Sequence, residues 1–403
     1  MRGRLGVLLV ALSLGACAGT SAPASQSAEP AATVANRPSA DVASAAPAVA
    51  FHGSVPTYRG DPARTGVMPG PGPVGTPQIA WQFQASAPFG SSPVVVEGTV
   101  YAVSGDGIVH AIELESGHER WNVSLGAEAS ASPLVAGGQL IAADGQGTIH
   151  ALNLPDGSAG WTFHADGPIS GSPAVIGDRI VAAAQSGTVY ALDPATGTVV
   201  WQASVGGEVT RSVAGGDGSI YLGLGADLVA VSASDGSILW RSTIGGGGSV
   251  GTPTLAGGSV YASTGLDSDT DADHGVACVD AKTGKLGWRY TSDTKAQVYT
   301  PAVAGGRAYI VGHDHRIVSL DAASGKVGWS VERSSELEAL PAVVGNAVYI
   351  VGNDGPVEAI DATTGTSIWS VPIKGVPYAP SVVDGYLLVG TDLGTLYAIA
   401  GAG

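Results

Sequence analysis

Apolar residues along this chain come in short runs, and Gly, Asp, Ser and Thr interrupt them at regular intervals. A run such as Thr188-Val-Tyr-Ala-Leu192 is too short for a helix and has the β-branched and aromatic content of a strand. One stretch divides into four such runs: 172–175, 179–183, 188–192 and 199–203. The breaks between them are Gly177-Asp178, Ser186-Gly187 and Ala195-Thr-Gly197, residues that hairpin turns favour. Helical periodicity of useful length is missing from the sequence beyond its first residues.

The four-strand unit repeats. Trp occupies positions 81, 121, 161, 201, 240, 288, 329 and 369, at spacings of 40, 40, 40, 39, 48, 41 and 40. In the same phase Pro93, Pro133, Pro173, Pro253, Pro301, Pro341 and Pro380 each open an apolar run, and Val213 holds the one slot without proline. Gly stands four residues before Trp at 117, 157, 197, 236, 284, 325 and 365. Four short strands recurring at about 40 residues predict an all-β fold, a β-propeller of four-stranded antiparallel blades. Its last unit has three strands (380–383, 386–390 and 395–399) and no Trp strand, whereas a surplus Trp strand, 78–83, stands at the N-terminal end. Eight blades follow if that N-terminal strand closes the ring, an arrangement that also hides the sheet edges.

Composition fits this picture. The 403 residues include 61 Gly, which the turns of eight blades largely absorb. The formal charge of −16 argues against nucleic acid as a partner, because its binders need a basic surface. Two Cys exclude a disulfide framework. The first residues read as an export segment: Arg2 and Arg4, then a short apolar run from Leu5 to Leu14, too short to span a bilayer. Leu14-Gly-Ala-Cys17 resembles the bacterial lipobox. That resemblance implies cleavage after residue 16 and lipidation of Cys17, which would tie the protein to a membrane. Residues 17–50, rich in Ala, Pro and Ser, are expected to form a disordered tether, 51–77 a lead-in, and 78–403 the propeller. Removal of residues 1–16 leaves 16 basic against 34 acidic side chains, or −18, so lipid rather than basic charge would hold the membrane.

The repeat is clearest in Gly187-Thr-Val-Tyr-Ala-Leu-Asp-Pro-Ala-Thr-Gly-Thr-Val-Val-Trp201, and again in 280–288 and 361–369. It resembles the tryptophan-docking repeat of the pyrroloquinoline quinone (PQQ)-like propeller superfamily, and Tyr58-Arg-Gly-Asp-Pro-Ala-Arg-Thr-Gly66 looks like a segment that often precedes such propellers. The likeness covers about residues 51–400. It implies a quinoprotein dehydrogenase-like fold in which Trp81, Trp121, Trp161, Trp201, Trp240, Trp288, Trp329 and Trp369 dock blade on blade. The superfamily holds quinone-dependent dehydrogenases and also non-catalytic members, among them the BamB family of outer-membrane assembly lipoproteins, a distant resemblance here. For the alcohol dehydrogenases the resemblance implies a vicinal disulfide, a Ca²⁺ held by Glu, Asn and Asp, and a catalytic Asp. This sequence has no vicinal Cys pair and no long insertions, so no cofactor, PQQ included, is expected and no catalytic residue is assigned.

Three local features remain. The 48-residue spacing marks an insertion, 265–275, in which Asp267, Asp269 and Asp271 alternate as the ligands opening a Ca²⁺ loop do. The full loop signature fails, and a solvated acidic hairpin tip is the simpler reading. Cys278 falls at a position that other units fill with Ala or Ser, and reads as a small core residue. Residues just before the Pro markers would rim the axial channel. Most are small, but Arg211, Tyr299 and Tyr378 are not, and Glu336 and Glu338 lie slightly upstream. That set could grip an acidic ligand, a carbohydrate or a peptide. The expected function is a monomeric, lipid-anchored, non-enzymatic propeller that binds or scaffolds envelope proteins. It would sit in the outer membrane facing the periplasm, or on the outer face of the cytoplasmic membrane where only one membrane exists. An envelope enzyme or small-ligand sensor using the axis is the alternative.

Overall fold

The computed structural model describes residues 53–268, 273–337 and 339–402. These form eight four-stranded antiparallel sheets. Blade one consists of Val94–Val96, Thr99–Val103, Ile108–Glu113 and Glu119–Ser124. Blades two to seven repeat it, with innermost strands Leu134–Ala136, Ala174–Ile176, Ala214–Gly216, Thr254–Ala256, Ala302–Ala304 and Ala342–Val344. Their outermost strands are Ala159–His164, Val199–Ser204, Ile238–Thr243, Leu286–Thr291, Val327–Glu332 and Ser367–Pro372. Blade eight combines Ser381–Val383, Tyr386–Gly390 and Thr395–Gly401 with Pro77–Gln84, which pairs antiparallel with Thr395–Gly401 from Pro77↔Gly401 to Gln84↔Thr395. The Ser381 hydroxyl donates to the Pro93 carbonyl at 2.6 Å, so the eighth blade meets the first.

Innermost strands begin one residue after the Pro markers, whereas the sequence pattern has the apolar run open at Pro, as in 380–383, or one residue earlier, as in 172–175. Pro has no N–H for the ladder, and at the Pro173 marker the carbonyls of Ser172 and Pro173 are taken by a side chain from elsewhere in the chain. Middle strands are buried on both faces because a neighbouring blade covers each, whereas outermost strands alternate half-buried and exposed positions. The core is therefore a series of clusters between blades. Ile141, Ile149 and Ala151 of blade two, for example, pack with Ile180, Ala182 and Tyr190 of blade three.

The Trp rings sit in these seams. The indole N–H of Trp161 donates to the Pro194 carbonyl of the next blade at 3.1 Å, and Trp81, Trp121, Trp201, Trp240, Trp288 and Trp329 make the equivalent bond to Leu114, Leu154, Ala233, Ala281, Ala322 and Ala362. The Gly marker is explained by the same seam. Gly197 has φ +69°, and a Cβ there would lie 2.3 Å from the Trp161 ring. The residue must be Gly both for its backbone and for its neighbour's indole.

Candidate functional site: an axial funnel and its plug

Residues 53–72 run around one end of the axis and bond to the innermost strands in turn. Val55 exchanges both backbone hydrogen bonds with Val95 of blade one, and the Pro56 carbonyl accepts from Val135 of blade two. Pro62, Ala63, Thr65 and Gly66 carbonyls accept from Gly215, Leu255, Val303 and Val343 of blades four to seven, and Pro71 from Gly385 of blade eight. Blade three is reached by a side chain. Arg64 uses all five of its N–H groups: Nε to the Val213 carbonyl, Nη1 to the Thr57 hydroxyl and the Tyr58 carbonyl, and Nη2 to the Ser172 and Pro173 carbonyls. Arg59 donates to the carbonyls of Arg64, Thr300 and Pro301, the last at 2.6 Å. The lead-in is a plug, pinned by two arginines.

Both guanidiniums are buried, Arg64 at 0% and Arg59 at 2% exposure. Burial pulls the Arg64 pKa down to about 10 and lowers that of Arg59, against a small opposing pull from Tyr58 and Asp61. Arg64 thus remains charged at neutral pH. A buried cation needs compensation, and here carbonyl oxygens rather than a paired carboxylate supply it.

Above the plug the channel widens into a cavity of about 300 Å³. Tyr58 of the plug forms its floor, with the Arg64 guanidinium 5.1 Å from the ring centroid. Around the waist stand Ser92, Ser132, Ser172, Ser212 and Thr252, with Leu340 and Ala379 completing the turn. The N–H groups of Ser92, Ser132 and Ser172 each donate at 2.9 Å to the hydroxyl of the serine one blade further on. Ser130, Ser170, Thr210, Arg211 and Tyr378 line the wider mouth.

Of the rim residues singled out from sequence, Arg211 and Tyr378 line this funnel, and Tyr299 does not. Tyr299 stacks on His313 with centroids 5.0 Å apart, and His313 Nδ1 lies 3.6 Å from Glu336. Arg211 is held by both carboxylate oxygens of Asp267, at 2.9 and 2.7 Å. The hydrogen bond from Ser249 to Asp267, and then Arg211, keep that carboxylate below the usual aspartate range. The insertion therefore reaches back to the funnel mouth, where both Asp267 oxygens pair with Arg211. Asp269, Asp271, Glu338 and Cys17 lie outside the described residues. Among those described, no group of three or more His, Cys, Asp or Glu side chains is placed to hold a metal ion. Cys278 is buried between blades five and six, and burial raises its thiol pKa.

The serine ring lies one residue downstream of the rim positions that the sequence pattern predicts. The signal was present, since Ser-Pro recurs at 92–93, 132–133 and 172–173, with Thr-Pro at 252–253 and 300–301. Tyr58, Arg59 and Arg64 of the lead-in are site residues that the blade repeat does not predict.

A family model described as outer membrane protein assembly factor BamB matches residues 75–215 and 185–400, most of the chain. The chain belongs to this BamB family. None of the curated proteins matches it significantly. Among solved structures it is similar to BamB from Moraxella catarrhalis, at 18% identity and a TM-score of 0.66, covering 81% of this chain and 98% of that one. It is also similar to a europium-containing methanol dehydrogenase, at 16% identity and a TM-score of 0.70, covering 86% and 98%. A third, the computationally designed Ika8 protein, gives 16% identity and a TM-score of 0.69 over 80% and 98%. At these identities the likeness concerns the fold, which the family shares with quinone enzymes. A quinone bearing three carboxylates needs positive charge and flat stacking surfaces. Among its described lining residues, the funnel offers a single guanidinium already paired with Asp267.

Proposed function

We propose that this chain is a non-enzymatic scaffold of the bacterial envelope, anchored through a lipid on Cys17, that docks other proteins during outer-membrane protein assembly. The reading rests on family membership and is supported by one observation on the ring itself. The outermost strands of blades three to seven each expose large apolar residues beside the Trp: Val199 and Val200, Ile238 and Leu239, Leu286, Val327, and Ile368, between 42% and 55% exposed. In blade one the same two positions are Glu119 and Arg120, and in blade two Ala159 and Gly160. Isolated exposed apolar residues need no explanation, but their recurrence on consecutive blades marks a surface suited to protein contact. The protein acts as a monomer in this reading, and the outer membrane, facing the periplasm, is its place where two membranes exist.

The test is in-envelope photo-crosslinking from probes beside Leu239 and Val327, read by mass spectrometry. Reproducible links to outer-membrane β-barrel proteins or their assembly machinery are expected. A double Ile238→Lys, Leu239→Lys variant should lose them while keeping its unfolding midpoint, and Cys17→Ser should leave the membrane fraction. Absence of any reproducible protein link from these positions would overturn the docking role.

A further inference from the structure

The funnel has a chemistry that protein docking on the outer strands does not use. We propose that it binds a neutral, polyhydroxylated ligand, a sugar unit, entering from the open mouth toward Tyr58. The inference is independent of the docking role.

Charge comes first. The lining residues are Ser, Thr, Gly, Tyr, Leu, Ala and one Arg. Nη2 of that Arg donates to both oxygens of Asp267, and the two opposite charges leave the pair neutral toward a ligand. An anion would have to compete with a carboxylate already in place, and a cation would meet the guanidinium.

Hydrogen bonding comes second. A sugar hydroxyl both donates and accepts, and so does a serine or threonine hydroxyl. The hydroxyls of Ser132, Ser172 and Ser212 each accept one backbone N–H, and each still carries its own O–H to donate. The chain of bonds begins at Ser92, whose own hydroxyl receives nothing. Ser92 is 3% exposed, lines the funnel, and its Oγ has no hydrogen-bond partner among the described residues. Arg211 Nε, also in the lining, is likewise buried without a partner. Buried polar atoms normally find partners. Two orphans in one cavity, one beside the blade-eight seam and one at the mouth, point to a polar occupant.

Shape comes third. The hydroxyls are gathered on blades one to five, whereas Leu340, Tyr378 and Ala379 of blades seven and eight make the opposite wall apolar and aromatic. Tyr58 adds an aromatic floor. A pyranose ring has the same two sides, with hydroxyls at its edge and C–H groups on its face. About 300 Å³ is at the small end of ligand sites and suits a sugar unit rather than a folded segment. Because the plug closes the far end, the ligand is a free sugar or the end of a glycan, not a chain threaded through the ring.

The test is isothermal titration of the full-length protein with glucose, N-acetylglucosamine and a short oligosaccharide of each, beside glucuronate and glucosamine as charged analogues. Saturable binding of a neutral sugar is expected, at least roughly tenfold tighter than its charged analogue, a difference of about 1.4 kcal/mol. Tyr378→Ala should weaken it by at least about tenfold. Thr210→Ala, at the exposed mouth, should weaken it less, and both variants should keep the wild-type unfolding midpoint. Equal affinity for monosaccharide and oligosaccharide, or a preference for the oligosaccharide, each supports the site and says whether a free sugar or a chain end enters. No saturation by any neutral sugar, or tighter binding of glucuronate, would overturn it. If Tyr378→Ala proves unstable, unchanged affinity in Thr210→Ala together with Ser130→Ala would do the same.

Discussion

The two ends of the axis carry the same residue in opposite circumstances. At the closed end Arg64 is fully buried, donates five hydrogen bonds to backbone carbonyls and a threonine hydroxyl, and ties the lead-in to blades three and four. At the open end Arg211 is about one-third exposed and is held by one carboxylate from a hairpin insertion. The first arginine is part of what makes the ring one body, and the second shapes the mouth of a cavity. The difference teaches that a charge near the axis is not itself a sign of binding. What decides is where its hydrogen bonds end, on fixed carbonyls or on a side chain that solvent can reach.

Removing each arginine should expose that contrast most strongly. Arg64→Ala leaves buried carbonyls of blades three and four and of the lead-in without donors, each worth about 1–3 kcal/mol. A loss of at least about 4 kcal/mol is expected in denaturant unfolding. Arg64→Lys should recover little, because an ammonium cannot occupy five directions in one plane. Arg211→Ala should cost less than about 1 kcal/mol. Comparable losses from the two alanine variants would erase the distinction.

A smaller effect sharpens the same idea within the blades. Gly197 and Gly177 have nearly equal φ, +69° and +64°, but a Cβ at 197 meets Trp161 at 2.3 Å and one at 177 meets nothing within 4 Å. Gly177→Ala should lose about 1 kcal/mol for its backbone conformation alone. Gly197→Ala should lose about 2 kcal/mol more, because the indole of the neighbouring blade must move. Thermal unfolding of the pair measures the seam directly.

The smallest effect concerns pH at the open end. Asp267 has its pKa lowered in the folded protein, first by Ser249 and then by Arg211. Its contribution to stability is therefore fully present above the unfolded value of about 3.9 and is lost as pH falls through the lower folded value. The difference in unfolding midpoint between the wild type and Asp267→Asn should be small and constant from neutral pH to about pH 5, and should vanish in stronger acid. A difference that instead faded between pH 7 and 5 would mean that another group governs the mouth.

Much of the architecture was legible because it repeats. Trp and Pro in phase gave the blade, and the misplaced Trp81 strand pointed to the pairing of Pro77–Gln84 with Thr395–Gly401. The site was legible only in part, and for a physical reason. Arg59 and Arg64 stand in the lead-in, outside the repeat, and their partners are carbonyls up to 242 residues away. Backbone carbonyls leave no trace in sequence. Arg211 and Asp267, 56 residues apart, were each noticed alone, one as a ligand contact and one as a metal ligand, and only the fold joins them. The serine ring is visible in the sequence as a Ser-Pro spacing, one residue from the predicted rim.

The pairing that completes the eighth blade also sets an order of events. Gln84 and Thr395 are 311 residues apart, joined side chain to side chain at 2.8 Å, so the first strand of the ring to emerge from synthesis waits for the last. The plug waits with it, since its partners are spread over all eight blades. A chain made from its N-terminus thus passes through a stage in which seven blades can form while two sheet edges and the buried-arginine sites stay open to water and to other chains. Closure then requires a contact of very long sequence separation, the slow kind. Until its final strand is made, the ring therefore carries open edges on which another chain could pair.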